Sequence, residues 1–173
     1  GDISLNNYFD AFKRAPVALF VFNSVLVTGV TVIASLAVCS AAAFAFAFVK
    51  WKGRDLALTV ILATLIVPFE TIAIPLLLEA SKLPWIGLDG ITWGWLNSYR
   101  VQIVPFVADG LTIFLFVQYF KDLPHELIEA ARVEGASWRQ VYLRVVMPLS
   151  GPVVATAAIL NFLAMYNQYL WPL

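Results

Sequence analysis

Residues 17–49 read VALFVFNSVLVTGVTVIASLAVCSAAAFAFAFV, an apolar run without one charged side chain. A helix needs about 20 apolar residues to cross the hydrocarbon core of a bilayer, so this run is a membrane span with length to spare. The surplus predicts tilt or a protruding end. The run carries one adjacent polar pair, Asn23-Ser24. Ala34, Ala37, Ser40, Ala41, Ala42, Ala43 and Ala45 offer small-residue faces for close helix packing. Composition agrees across the 173 residues: 61% are hydrophobic and 13% charged, and mean hydropathy is +0.84. A soluble domain has roughly a quarter of its residues charged. Six Trp, six Tyr and thirteen Phe suit a chain that meets lipid and its interfaces. Net charge is zero, which argues against a nucleic-acid partner and leaves no dense basic tract for anionic lipid. Cys39 is the only cysteine, so neither an intrachain disulfide nor a cysteine metal cluster can form.

Outward from that run, the chain reads as an all-α, polytopic bundle of four spans. Gly1 to about Pro16 mixes Tyr8, Phe9 and Phe12 with Asp10, Lys13 and Arg14, the pattern of an interfacial amphipathic helix or a plain juxtamembrane linker. Lys50, Lys52 and Arg54 form a basic turn. Leu56–Leu78 is a second span, interrupted by Pro68, Glu70 and Pro75. Glu79–Arg100 is a loop with Trp85, Trp93 and Trp95 as interface anchors. Val101–Phe120 is a third span, with Pro105 near its start and Asp109-Gly110 further in. A fourth begins near Val153. Four alternating spans put the basic turn on the same side as Lys121, Arg132, Arg139 and Arg144, against Lys13, Arg14, Lys82 and Arg100 opposite. The positive-inside rule makes the richer side cytoplasmic.

Between the third and fourth spans, residues 122–148 hold the longest charged interval. Asp122 is a candidate N-cap for a helix with Pro124 and Glu126 in its first turn, running to about Glu134. Gly135 supplies a left-handed stop. Ser137 and Gln140 have capping-box spacing for a second, short helix that Pro148 closes. The small pair Ala130-Ala131 lets another surface approach the backbone, and Glu129, Arg132 and Glu134 can orient it. The plainer reading is a solvated connection in which Arg132 satisfies Glu129 at three-residue spacing.

Glu129-Ala130-Ala131, then Gly135-Ala136, then Pro148 and Pro152, resemble the EAA loop of bacterial ABC-importer permeases, with Glu134 where that family usually has Asp. Leu123-Pro124 and Glu126-Leu127 fit its approach. Asn23-Ser24, Val67-Pro68, Ile74-Pro75-Leu76, Leu96-Asn97-Ser98-Tyr99 and Asn167–Leu173 extend the likeness along the chain, although Tyr166 stands where Trp is usual. The pattern is most similar to sugar-uptake permeases of the maltose and glycerol-phosphate type. The resemblance implies that residues 1–173 are the middle of a permease domain, with family spans on both sides. It implies a cytoplasmic coupling loop in which Glu129, Ala130, Ala131, Glu134, Gly135 and Ala136 meet an ABC ATPase dimer. It further implies a second homologous permease, an extracytoplasmic solute-binding protein and a bacterial inner-membrane location. No Gly-x-x-x-x-Gly-Lys-Ser/Thr loop occurs, so the chain is expected to have no cofactor of its own, with ATP and Mg on the ATPase.

Glu70, Asp109, Asn161 and Asn167 are the candidates for a translocation path, because polar groups at membrane depth face cavities or partners. Each has a structural alternative. Asp109 sits where it would cap the helix from Gly110 to Phe120, and amides such as Asn161, Asn167 and Gln168 also hold helices together. His125 alone makes neither a metal site nor a triad. Two other functions compete: a membrane-embedded enzyme using Glu70 and Asp109 as acid and base, and a structural protein whose hairpin docks a partner other than an ATPase.

Overall fold

A computed structural model describes residues 16–87, 90–168 and 171. The reading of Gly1 to about Pro16 as an amphipathic helix or linker therefore lies almost wholly outside the described residues. Helix α1 (Val17–Phe48) is unbroken, as the apolar run predicts. Its buried side is narrower than the full set of alanines: Thr28, Thr31, Ser35, Cys39 and Ala43 recur every three or four residues, while Ala37 and Ala41 face outward. In lipid, helices associate by close packing rather than by escape from water, so a stripe of small side chains is what lets a neighbour approach. That neighbour is α5 (Gly110–Lys121), whose Phe116, Val117 and Phe120 are fully buried in a core with Cys39, Ala43 and Phe44.

The second predicted span is two helices, α2 (Arg54–Thr64) and α3 (Phe69–Ala80), bent by 102°. The break lies before Pro68, in extended conformation at φ −66 and ψ 141, whereas Pro75 is carried inside α3. Gly110 lies close against α2. A Cβ added there would lie 3.2 Å from the Ile61 carbonyl oxygen. After α3 comes an element the all-helical reading did not contain, a two-stranded antiparallel hairpin of β1 (Pro84–Gly87) and β2 (Gly90–Trp93). The third span is interrupted as well: α4 (Tyr99–Ile103) passes into a 3₁₀ turn (Val104–Phe106), and α5 restarts at Gly110.

Asp122 does not start the charged hairpin. It ends α5 in right-handed helical conformation, its N–H held by the Gln118 and Tyr119 carbonyls. An N-cap needs non-helical backbone, and the residue with it is Pro124, at φ −57 and ψ 117, at the head of α6 (His125–Val133). Nor does Pro148 close the second helix. α7 runs from Trp138 to Leu149 and contains a π-helical turn over Tyr142–Val146. Proline lacks the N–H that the Arg144 carbonyl would accept in an α-helix. The wider turn resets the pairing, and the Met147 N–H bonds to Tyr142, five residues back. The chain bends by 79° at Ser150, and α8 (Gly151–Tyr166) follows, two residues before the expected start.

Among the described residues, α1 and the nearly continuous helical stretch Tyr99–Lys121 are long and apolar enough to cross a membrane, and up to four spans result if each bent pair counts as one. Contacts fix the ends of the bundle. Tyr99 Oη donates to Asn23 Oδ1 at 3.0 Å at one end, and Phe48 packs on Phe120 and His125 at the other. The basic turn after Phe48 and the charged hairpin therefore share an end.

Candidate functional site

Residues 125–149 fold as an exposed helical hairpin, and local chemistry accounts for its turn. Gly135 has φ +88, a left-handed conformation that disfavours any side chain. Around it the Ala136 N–H reaches the Ala131 carbonyl at 3.0 Å and the Gly135 N–H reaches Arg132 at 3.1 Å. These are the paired bonds of a Schellman stop, with small residues at its contact positions. The capping box forms as spaced: Gln140 Oε1 accepts from the Ser137 N–H at 2.7 Å, and Ser137 Oγ accepts from the Gln140 N–H at 3.3 Å. Arg132 does not pair with Glu129. Its guanidinium donates to the Ala136 carbonyl at 2.6 Å and lies 4.6 Å over the Trp138 ring, tying the two helices together. Among the described residues the one ion pair joins neighbours Arg54 and Asp55. Glu129, Ala130 and Glu134 remain exposed, beside an 88% exposed Val133.

The hairpin is fastened to the end of α1. Ile128 is buried. Phe44 meets both Trp138 and Tyr142 edge-on, Phe48 meets His125 edge-on, and Tyr142 Oη lies 2.8 Å from Ser40 Oγ. Sequence reading missed this seam, although Phe44 with Phe48 and Trp138 with Tyr142 both have the four-residue spacing of a single helix face.

The four candidates for a path do not line one cavity. Glu70, in the first turn of α3, borders an open cleft of about 650 Å³ with Ala73, Asn97, Ser98, Gln102 and Trp171. Trp171 is set in that wall by its Nε1–H bond to the Val101 carbonyl, 2.8 Å, and by edge contacts with Phe69 and Phe106. Asp109 caps α5: Oδ2 accepts from the Thr112 N–H at 2.7 Å and from Thr112 Oγ1 at 2.6 Å. Asn161, buried on α8, continues the chain by donating from Nδ2 to Thr112 Oγ1 at 2.7 Å, and its Oδ1 accepts from Ser35 Oγ at 3.5 Å. Asp109 and Asn161 border a separate cavity of about 180 Å³. Asn167 ends α8, with Nδ2 bonded to the Leu163 carbonyl. Glu70 and Asp109 thus share no pocket in which one could act as acid and the other as base. Ser35 and Thr112, which complete the seam across α1, α5 and α8, carried no signal that sets them apart from other hydroxyls in apolar runs.

Residues 39–173 match the family of binding-protein-dependent transport system inner membrane components. The chain belongs to that family. Similar relatives include the arabinooligosaccharides transport system permease protein AraQ of Halalkalibacterium halodurans, 33% identical over 99% of this chain and 58% of that protein. The lactose transport system permease protein LacG of Rhizobium radiobacter is 32% identical over 100% of this chain and 60% of its own length. The sn-glycerol-3-phosphate transport system permease protein UgpE of Yersinia enterocolitica is 31% identical over 93% and 54%. Among solved structures, a chain of a bacterial ABC transporter involved in import of the acidic polysaccharide alginate superposes with a TM-score of 0.74 at 26% identity. That match covers 86% of this chain and 49% of the other. The chain therefore spans little more than half the length of the relatives it matches. They are named as transport components, which weighs against the embedded-enzyme alternative.

Proposed function

We propose that this chain is the membrane-spanning permease part of an ATP-driven bacterial importer for a sugar or glycerol-phosphate-like solute. The observation that carries the reading is the hairpin, in a chain of this family. A preformed helix pair presents Glu129, Ala130 and Val133 outward while its aromatic face is anchored to α1. In this reading an ABC ATPase dimer, holding ATP and Mg, grips the hairpin in the cytoplasm. Glu129 meets a basic group across the interface, Ala130 permits close approach, and Glu134, Gly135, Ala136 and Ala131 shape the turn. A second homologous permease completes the pathway, and an extracytoplasmic binding protein delivers solute. ATP binding closes the ATPase pair and moves the hairpin. The Phe44 and Tyr142 contacts pass that motion to α1, and the spans alternate between inward-open and outward-open states. The exposed apolar side chains of α1 and α8 face lipid or the second permease.

The test is recovery of the full-length tagged protein from its native membrane with its co-purifying chains sequenced. A phosphate-loop ATPase should copurify and be lost on Glu129→Lys with the protein still folded. A folded protein recovered alone, or with a partner that is not an ATPase, overturns the proposal.

A further inference from the structure

The cleft beside Glu70 has the size of a small-molecule site and a lopsided chemistry. Its volume of about 650 Å³ falls within the range of roughly 300–1,000 Å³ typical of such sites. Its walls are apolar at Ala73, Leu77 and Trp171, and polar at Asn97, Ser98 and Gln102. Glu70 is the only charged side chain among the described residues that line it. Arg100 does not line it: its guanidinium lies 4.5 Å over the Trp85 ring, and it borders an adjoining open hollow of about 700 Å³ that shares Asn97, Ser98 and Gln102 with the cleft. Ser98 Oγ donates to the Trp95 carbonyl at 2.6 Å, so toward the cleft that hydroxyl offers its lone pairs. Among the described residues the wall therefore has acceptors at Glu70 and Ser98, amides at Asn97 and Gln102 that both donate and accept, and no cation.

We infer that this cleft is a solute site for neutral polyhydroxyl molecules of the sugar class, and that it turns away anions such as phosphate esters. Hydroxyls donate to the carboxylate in charge-assisted hydrogen bonds, the amides match either end of a hydroxyl, and Trp171 offers an apolar surface to C–H faces. A phosphate finds no guanidinium or ammonium among the described lining residues and meets a like charge instead. The inference rests on the importer reading and decides between its two solute classes.

The test uses the complete importer with Ala73→Cys in this chain. Ala73 lies one turn from Glu70 in the same wall, and the native Cys39 is fully buried and stays silent. Labelling with a cationic and an anionic methanethiosulfonate should show the cation favoured at least fivefold beyond the ratio the reagents show on free cysteine. Adding Glu70→Gln should abolish that excess. Lactose or arabinotriose at millimolar concentration should slow labelling, whereas sn-glycerol 3-phosphate and choline at the same concentration should not. Leu77→Cys, in the same wall, gives a second reporting position. Failure to label at both positions, absence of the charge preference, or protection by the phosphate ester or by choline in place of the sugar overturns the inference. ATP-driven uptake without sugar protection fails the cleft alone. Charge-selective, sugar-protected labelling in a complex that shows no ATP-driven uptake fails the importer reading alone.

Discussion

Asn161→Ala separates a helix clasp from a wall of the solute path. Asn161 is 7% exposed, and its amide joins α8 to Thr112 of α5 at 2.7 Å and to Ser35 of α1 at 3.5 Å. Interhelical hydrogen bonds in membrane proteins contribute about 0.6 kcal/mol on average and at most about 1.7. The Thr112 bond is short and the Ser35 bond is at the limit of useful length, so the substitution should cost about 1 to 2 kcal/mol. The bond to the Ala157 carbonyl, 2.9 Å, adds little, because that carbonyl already accepts within its own helix. Reversible unfolding of the full-length protein in lipid–detergent bicelles reads this cost. A double-mutant cycle with Thr112→Val should return a coupling of about 0.6 to 1.7 kcal/mol. A stability change below about 0.3 kcal/mol, no coupling to Thr112 and an altered solute preference would together refute the clasp and return Asn161 to the path.

Gly135→Ala places a side chain at φ +88 with nothing within 4 Å of its Cβ, so the cost is backbone strain alone, about 1 to 2 kcal/mol. Hydrogen exchange should speed up at the Ala136 and Gly135 amides, and unchanged exchange would show that the stop does not depend on glycine. Thr31 Oγ1 is buried without a hydrogen-bond partner among the described residues, so Thr31→Val should stabilise by about 1 kcal/mol, seen as a higher unfolding midpoint; destabilisation would mean that the hydroxyl is in use. Tyr142→Phe removes the 2.8 Å bond to Ser40 but keeps the ring on Phe44. In the importer proposed above, solute moved per ATP should fall while hydrolysis persists, and an unchanged ratio would rule this contact out of the coupling.

Features encoded by adjacent residues were legible in the sequence. The unbroken α1, the turn at Gly135, the capping box at Ser137 and the cap at Asp109 depend on apolar length or on one short hydrogen-bonding pattern. Features set by competition between neighbours were not. Asp122 and Pro124 both suit the head of a helix, and only the reach of α5 through Lys121 decides between them. Pro148 reads as a stop unless the turn before it widens, a choice made where Val141 and Val146 are buried in the core. The strands at Pro84–Gly87 and Gly90–Trp93 were hidden because Trp85 and Trp93 serve equally as interface anchors. Of the candidate site, the exposed face of the hairpin was readable. Its fastening to Phe44 and Phe48, and the separation of Glu70 from Asp109, needed the third dimension.

The sharp break between α2 and α3 bears on how the chain is built. Helices of 11 and 12 residues reach only about 16 to 18 Å each, roughly half the hydrocarbon core. Neither half can enter a bilayer as a self-sufficient unit during synthesis. The backbone freed at the bend must find partners in protein or water rather than in acyl chains. The bare Gly110, pressed against the Ile61 carbonyl, shows where α2 finds its support. The bend between α2 and α3 is therefore fully supported only once α5, made later in the chain, is packed against α2.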